Sequence, residues 1–154
     1  MKILVCGGRY FGWSKKELAY IYSQLYSFLE PKPRLFQNNV SSPHTLISGE
    51  ADGVDIISKY FAKELYRLNY KGYPADWDSY GNAAGPIRNS QMLKENPDIY
   101  SVVAFPGGKG TNDMIKKANK KNIRVVEFEY SVPYKELEKQ RKGKVFPWQE
   151  MKNI

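Results

Sequence analysis

Two glycine-rich segments carry the residue types best suited to hold an anion. In Phe105-Pro106-Gly107-Gly108-Lys109-Gly110-Thr111 three glycines let the backbone approach a ligand closely. A helix predicted to start at Thr111, with that residue as its cap, turns free N–H groups and a partial positive charge toward the same spot. A phosphate or carboxylate fits there, which makes Pro106, Gly107, Gly108, Gly110 and Thr111 candidate contacts. The spacing matches neither a P-loop, because Lys109 precedes Gly110, nor the G-x-G-x-x-G fingerprint. An ordinary strand-to-helix turn is the bland alternative. Gly7-Gly8-Arg9 is the second segment. Its arginine suits bidentate contact with a phosphate, against the alternative of a plain surface side chain. Tyr10, Phe11 and Trp13 follow, able to stack on a base or to cap the sheet, with packing expected for at least one.

Carboxylates form a second group. Ser48-Gly49-Glu50-Ala51-Asp52-Gly53-Val54-Asp55 places three of them in one short turn. Such groups bind ribose hydroxyls or act as a general base. Gly49 and Asp52 are candidate ligand contacts and Asp55 a candidate catalytic residue. Helix capping competes for Asp52, and Glu50 is expected to be solvated. Asp76-Trp77 adds a further catalytic candidate, Asp76. In Gly85-Pro86-Ile87-Arg88-Asn89 the proline suits a first helical position, which puts Arg88 and Asn89 in the first turn. A cation there opposes the helix dipole, so Arg88 is expected to pair with Asp76 or to contact an anion, with Asn89 beside it. His44, Cys6 and the lysines at 116, 117, 120 and 121 are read as incidental, as a small core residue and as a solvated helix face.

The elements that position these groups alternate. Short apolar runs at Lys2–Cys6, Thr45–Ser48, Tyr70–Tyr73, Ile99–Phe105 and Ile123–Phe128 read as strands. Helical spacing follows Ser14-Lys15-Lys16-Glu17, a capping box, and recurs from Gly53 to about Leu68, from Pro86 to about Glu95 and from Thr111 to about Lys121. Residues 30–44 are a Pro/Asn/Ser-rich loop in which local disorder is expected. Residues 129–154 are expected to be a helical and extended appendix on the same domain. In it Pro133 opens a short charged helix, and Val145, Phe146, Pro147 and Trp148 dock on the body. The pattern predicts an α/β fold: a Rossmann-like three-layer sandwich over residues 1–128 with a mainly parallel sheet of about five strands in order 3-2-1-4-5. The order reverses between the first and fourth strands, and the two glycine loops meet beyond their carboxyl ends, where open α/β sheets bind ligands.

Composition sets the outer bounds. The chain has 154 residues, 42% hydrophobic and 26% charged, in line with one soluble domain. One cysteine and one histidine leave no disulfide framework and no Cys-built zinc site, so neither a metal nor a cofactor is expected. No apolar run nears the ~18 residues of a membrane span. The run Met1–Cys6 gives way to Gly7-Gly8 too soon for a signal peptide, and a cytoplasmic protein is expected. The net charge of +8 suits an anionic partner, but it is spread over both halves, so nucleic acid is the less favoured one.

Strand-GGR, SGEADGVD, PADWDSYGNAAGPIRNSQML and VVAFPGGKGTNDM together resemble the YspA/cpYpsA-related group of the SLOG (SMF/DprA–LOG) superfamily, over roughly residues 1–128. A-G-P-x-R-N combined with F-P-G-G-x-G-T carries the resemblance. It implies a Rossmann-like sheet that binds nucleotides or nucleotide-derived ligands, of the kind found in bacteria and their phages. The glycine loop is then the phosphate site, and Arg9, Arg88 and Asn89 line the pocket. The related LOG enzymes release the base from a nucleoside monophosphate with a motif similar to P-G-G-x-G-T-x-x-E, and Met114 stands here at the glutamate position. A thioether cannot serve as acid or base. Asp113 lies about 100° around the helix. Glu50, Asp55 or Asp76 can supply a carboxylate from other loops.

Three functions follow as expectations. The first is a sensor or sequestering protein for a nucleotide-derived molecule. The alternative is a LOG-like hydrolase of a nucleotide's N-glycosidic bond. A single-stranded nucleic-acid binder comes third, by analogy with the DprA branch. The superfamily resemblance also raises a homo-oligomer.

Overall fold

A computed structural model gives the fold and describes residues 1–35 and 42–153. Part of the loop expected over residues 30–44, with Asn38, Asn39 and Ser41, lies outside the described residues. Five parallel strands, β1 (Lys2–Cys6), β2 (Thr45–Ser48), β3 (Asn69–Gly72), β4 (Ser101–Ala104) and β5 (Val125–Glu127), form one sheet in the order β3-β2-β1-β4-β5. The expected α/β class, strand number and strand order are all present.

Alternation along each strand divides the core into two layers. Ile3 and Val5 of β1 face one way with Leu46, Val103 and Phe105. Against them pack Leu18, Ile21 and Leu25 of α1 (Lys15–Phe28) and Val54 and Ile57 of α2 (Val54–Tyr60). Leu4, Cys6, Ile47, Val102 and Ala104 face the other way. There they meet Met92 and Leu93 of α4 (Ala84–Glu95) and Met114 and Ala118 of α5 (Lys109–Lys120). Helices α1 and α2 thus cross one face, α4 and α5 the other, and the reversal falls between β1 and β4. The C-terminal residues join the first layer. Leu137 of α6 (Tyr134–Arg141) and Met151 of α7 (Trp148–Met151) are buried there, with Phe146 and Trp148 packed against it. Val145, expected to dock, is 89% exposed. No helix among the described residues is long and apolar enough to cross a membrane.

Several boundaries differ from the expected ones for local reasons. The helix expected to reach Leu68 passes at Phe61–Leu65 into a π-turn, which buries both Phe61 and Ala62. The chain then reverses at Arg67, φ 49°, and leaves Leu68 buried but outside the helix. Strand β3 begins one residue earlier than expected, in register with Thr45, and is a largely exposed edge with little apolar signal. Strands β4 and β5 are shorter than their apolar runs. The turn-rich stretch after β3 holds a short helix, α3 (Trp77–Tyr80), and a 3₁₀ turn at Gly81–Ala83. Helix α4 therefore starts at Ala84, ahead of Pro86, which the first turn tolerates.

Candidate functional site

The two glycine loops are bound to each other. The Gly8 N–H donates to the Pro106 carbonyl at 2.9 Å, tying the end of β1 to the end of β4. Gly8 has no room for a side chain, because a Cβ there lies 2.0 Å from the Tyr134 ring. Gly53, at φ 79°, brings the β2–α2 turn against the same loop, and a Cβ on it lies 2.5 Å from the Gly8 carbonyl oxygen and 2.7 Å from that of Arg9. Gly53→Ala is therefore expected to cost about 1–3 kcal/mol and to push Arg9 outward. Urea unfolding reads the loss, and a cost under about 0.5 kcal/mol contradicts this packing.

Beyond these ends lies a cavity of about 850 Å³, in the range of small-molecule sites. Its lining includes Gly7, Gly8, Arg9, Gly49, Asp55, Arg88, Asn89, Gly108, Gly110 and Thr111 from the expected set. Pro106 and Gly107 line instead a neighbouring groove of about 360 Å³ that shares Thr111 and Tyr134 with the cavity. Helix α5 begins at Lys109, with Gly108 at the cap position and no side-chain cap. Thr111 is thus inside the first turn, not the cap. Gly108 to Thr111 all line the cavity, so the uncapped N–H groups and the dipole of α5 act on it.

Arg88 is held differently from the expectation. With α4 starting at Ala84 it lies in the second turn, so no dipole penalty applies. It does not pair with Asp76. Its guanidinium donates to the carbonyls of Gly49 and Tyr73 and to Asn89 Oδ1. Asn89 Nδ2 donates to the Gly110 carbonyl and to Asp113 Oδ2, both at 3.1 Å. Asn89 is buried with its amide committed on both sides, which makes it a strut between Arg88 and the glycine loop. Burial pulls the Arg88 guanidinium below its ordinary value, against the opposing pull of the Asp55 charge.

The carboxylates separate. Asp55 is 6% exposed, lines the cavity and accepts from the Ala51 N–H at 3.2 Å. Burial pushes its carboxyl up to about 7, against the pull of the Arg88 charge, the Ala51 N–H and the Arg9 charge. Asp76 is exposed and accepts from the Ser79 N–H as the cap of α3, outside the cavity lining, so its expected catalytic place is not supported. Asp52 is exposed and outside the lining too, and it caps nothing, since Gly53 is the cap residue of α2. Glu50, expected in solvent, is paired with Lys59 at 2.9 Å and accepts from the Tyr70 hydroxyl. Asp113 does line the cavity, braced by Asn89 and by Lys117 at 2.9 Å. Met114, at the glutamate position of the resembling motif, is fully buried in the α4–α5 layer and reaches nothing in the cavity.

The aromatic residues divide as well. Phe11 is core. Trp13 packs on Phe146, beneath the Arg141 guanidinium. Trp77 is 45% exposed at the cavity wall, with the Arg9 guanidinium 5.3 Å from its ring centre. Cys6 is a core residue, as expected, and also floors the cavity. His44, read as incidental, is buried, with its ring nitrogens against the Met1 amino group and the Pro31 carbonyl.

Trp77, Asn82, Tyr134 and Glu138 line the cavity and were not singled out by sequence. Tyr134 and Glu138 belong to an eight-residue helix of mostly charged residues that reads as a solvated surface, and no motif marked them. Trp77 stands beside Asp76 in the turn-rich stretch after β3, and that position was the available signal.

No family model matches the chain, and no solved structure matches it. Over 95 residues it is 33% identical to the Gene 61 protein of Mycobacterium phage D29, covering 56% of this chain and 74% of that protein.

Proposed function

Starting from a chain that belongs to the family of that phage Gene 61 protein, we propose that it binds a nucleotide or nucleotide-derived small molecule and acts as a sensor or sequestering protein. The observation that carries this reading is the uncapped start of α5, in one of two glycine loops tied to each other, opening on a cavity that Arg9 and Trp77 also line. The α5 dipole contributes about 0.3–1 kcal/mol toward an anion, and up to about 2 when partly buried. A base stacked on Trp77 adds about 1–3 kcal/mol. Neither suffices alone, and a nucleotide is a ligand that engages both. The resemblance to the SLOG superfamily points the same way. The phage protein's name says nothing of a ligand.

The test is a melting-temperature screen of the full chain with mononucleotides, dinucleotides and cyclic nucleotides. A ligand at about 100 times its Kd adds about 2.7 kcal/mol, several degrees for a chain of this size. Trp77→Ala is expected to weaken the responding ligand by about tenfold without lowering the melting temperature of the free protein. An unchanged affinity removes Trp77 from the site.

One observation favours a second reading, N-glycosidic hydrolysis. Asp55 is a carboxyl poised near neutral pH at the cavity wall, beside a fixed arginine. In that reaction water adds at the sugar carbon as the base leaves with the bonding electrons, and a carboxylate can take the water's proton and pass it to the departing base nitrogen. The reading predicts free base in the mixture, and its loss in Asp55→Asn.

A further inference from the structure

Helix α6 lies outside the stretch that carries the superfamily resemblance, yet it forms one wall of the cavity through Tyr134 and Glu138. Its position is fixed on every turn. The Tyr134 ring fills the space over Gly8, and its hydroxyl accepts from the Tyr10 N–H. Leu137 is buried in the core. Arg141 donates through both terminal nitrogens to Glu17 and through one of them to the Tyr10 carbonyl. Glu138 sits between these anchors, half-buried; its backbone carbonyl closes the end of α6 by accepting from the Lys142 N–H, while its carboxylate makes no hydrogen bond or ion pair among the described residues. The other two acidic residues of the cavity are engaged, Asp113 by Asn89 and Lys117 and Asp55 by the Ala51 N–H.

A carboxylate offers only acceptors, and beside an anion it repels. In a cavity whose anion end is the start of α5, a free carboxylate on the wall disfavours further negative charge beside it and favours hydrogen-bond donors of the ligand. We infer that Glu138 is a specificity-determining residue that accepts hydrogen bonds from paired donors of the ligand. The vicinal hydroxyls of a ribose present such a pair, and so does an exocyclic amine. This rests on the nucleotide reading above and adds to it what selects among nucleotides.

The test titrates the full chain, Glu138→Gln and Glu138→Ala by calorimetry with adenosine 5′-monophosphate, its 2′-deoxy counterpart and inosine 5′-monophosphate. Melting curves check that the variants fold. Hydrogen bonds to a charged acceptor predict that the unaltered chain prefers adenosine 5′-monophosphate about tenfold or more over one of the other two. That preference is expected to collapse in both variants. Collapse against the 2′-deoxy compound assigns the contact to the ribose, and collapse against the inosine compound assigns it to the amine. A preference that survives in both variants overturns the inference, as does its absence from the unaltered chain. So does a uniform gain of affinity in the variants, the mark of a merely repelling charge. Failure of all three probes while another nucleotide of the screen binds overturns the inference alone. Silence across the whole screen overturns the nucleotide reading with it.

Discussion

Arg141→Ala is expected to lower the unfolding free energy by about 3–5 kcal/mol, the cost of removing one partner from a buried ion pair. The Glu17 and Arg141 side chains are 3% and 17% exposed and meet through two hydrogen bonds, at 2.6 and 2.9 Å. The pair joins α1 to α6, and the same guanidinium covers Trp13 and binds the Tyr10 carbonyl. Alanine leaves the Glu17 carboxylate buried with only the Gly12 N–H and the Ser14 hydroxyl. The capping box read at Ser14 and Glu17 is thus put to a tertiary use. Ser14 caps α1 as expected, while the glutamate turns to Gly12 and to Arg141. Burial raises the Glu17 carboxyl, but the bonds from Arg141, Ser14 and Gly12 outweigh it and hold the group below its ordinary value. A lowered folded-state value stabilises the fold above the unfolded value and loses that effect as pH falls through the folded one. The cost of Arg141→Ala is therefore expected to shrink in acid. The double variant Glu17→Gln, Arg141→Met is expected to regain much of the loss, because neither half leaves a buried charge. Urea unfolding at neutral pH measures all three chains, and a loss under about 1 kcal/mol for Arg141→Ala contradicts this account of how α6 is attached.

Asp55→Asn is expected to act in the opposite direction. With the Asp55 carboxyl raised to about 7 from 3.8, the folded protein holds a proton that the unfolded chain has released between those values. Stability from this group is present in acid and is lost as pH rises toward 7. At about 1.4 kcal/mol per unit, the cost of ionising Asp55 is on the order of 4 kcal/mol above pH 7. An amide cannot ionise, so Asp55→Asn is expected to be the more stable protein at pH 8 by a few kcal/mol and to gain little at pH 4. Urea unfolding across this range reads the difference, and equal stability of the two chains at pH 8 contradicts the raised value. A stabilising substitution inside a cavity is also what a functional carboxylate predicts, since sites hold groups that the fold alone disfavours.

The sheet was legible because each buried strand is a short apolar run closed by glycine or proline, and the order β3-β2-β1-β4-β5 follows from the handedness of the crossovers. Where the sequence misled, a local signal had a competitor. Pro86 marked a helix start, but Gly81–Ala83 winds into α4 ahead of it, which moved Arg88 out of the first turn. Asp52 and Asp76 have the right chemistry, yet short-range position decided for both: one faces solvent and the other caps α3. Asp113, one residue from the motif position, reaches the cavity because Met114 takes the inward face of α5. Tyr134 and Glu138 were illegible because nothing local links residue 134 to Gly8. That contact exists only once α6 has folded back over the sheet.

The most direct test of the central claim is equilibrium dialysis of the full chain against the nucleotide screen, with mass spectrometry of what is retained. The account predicts that at least one nucleotide is retained stoichiometrically and recovered intact, and that Trp77→Ala retains less of it. Retention of no nucleotide at concentrations up to about 1 mM contradicts it, since a Kd weaker than that corresponds to less than about 4 kcal/mol of binding.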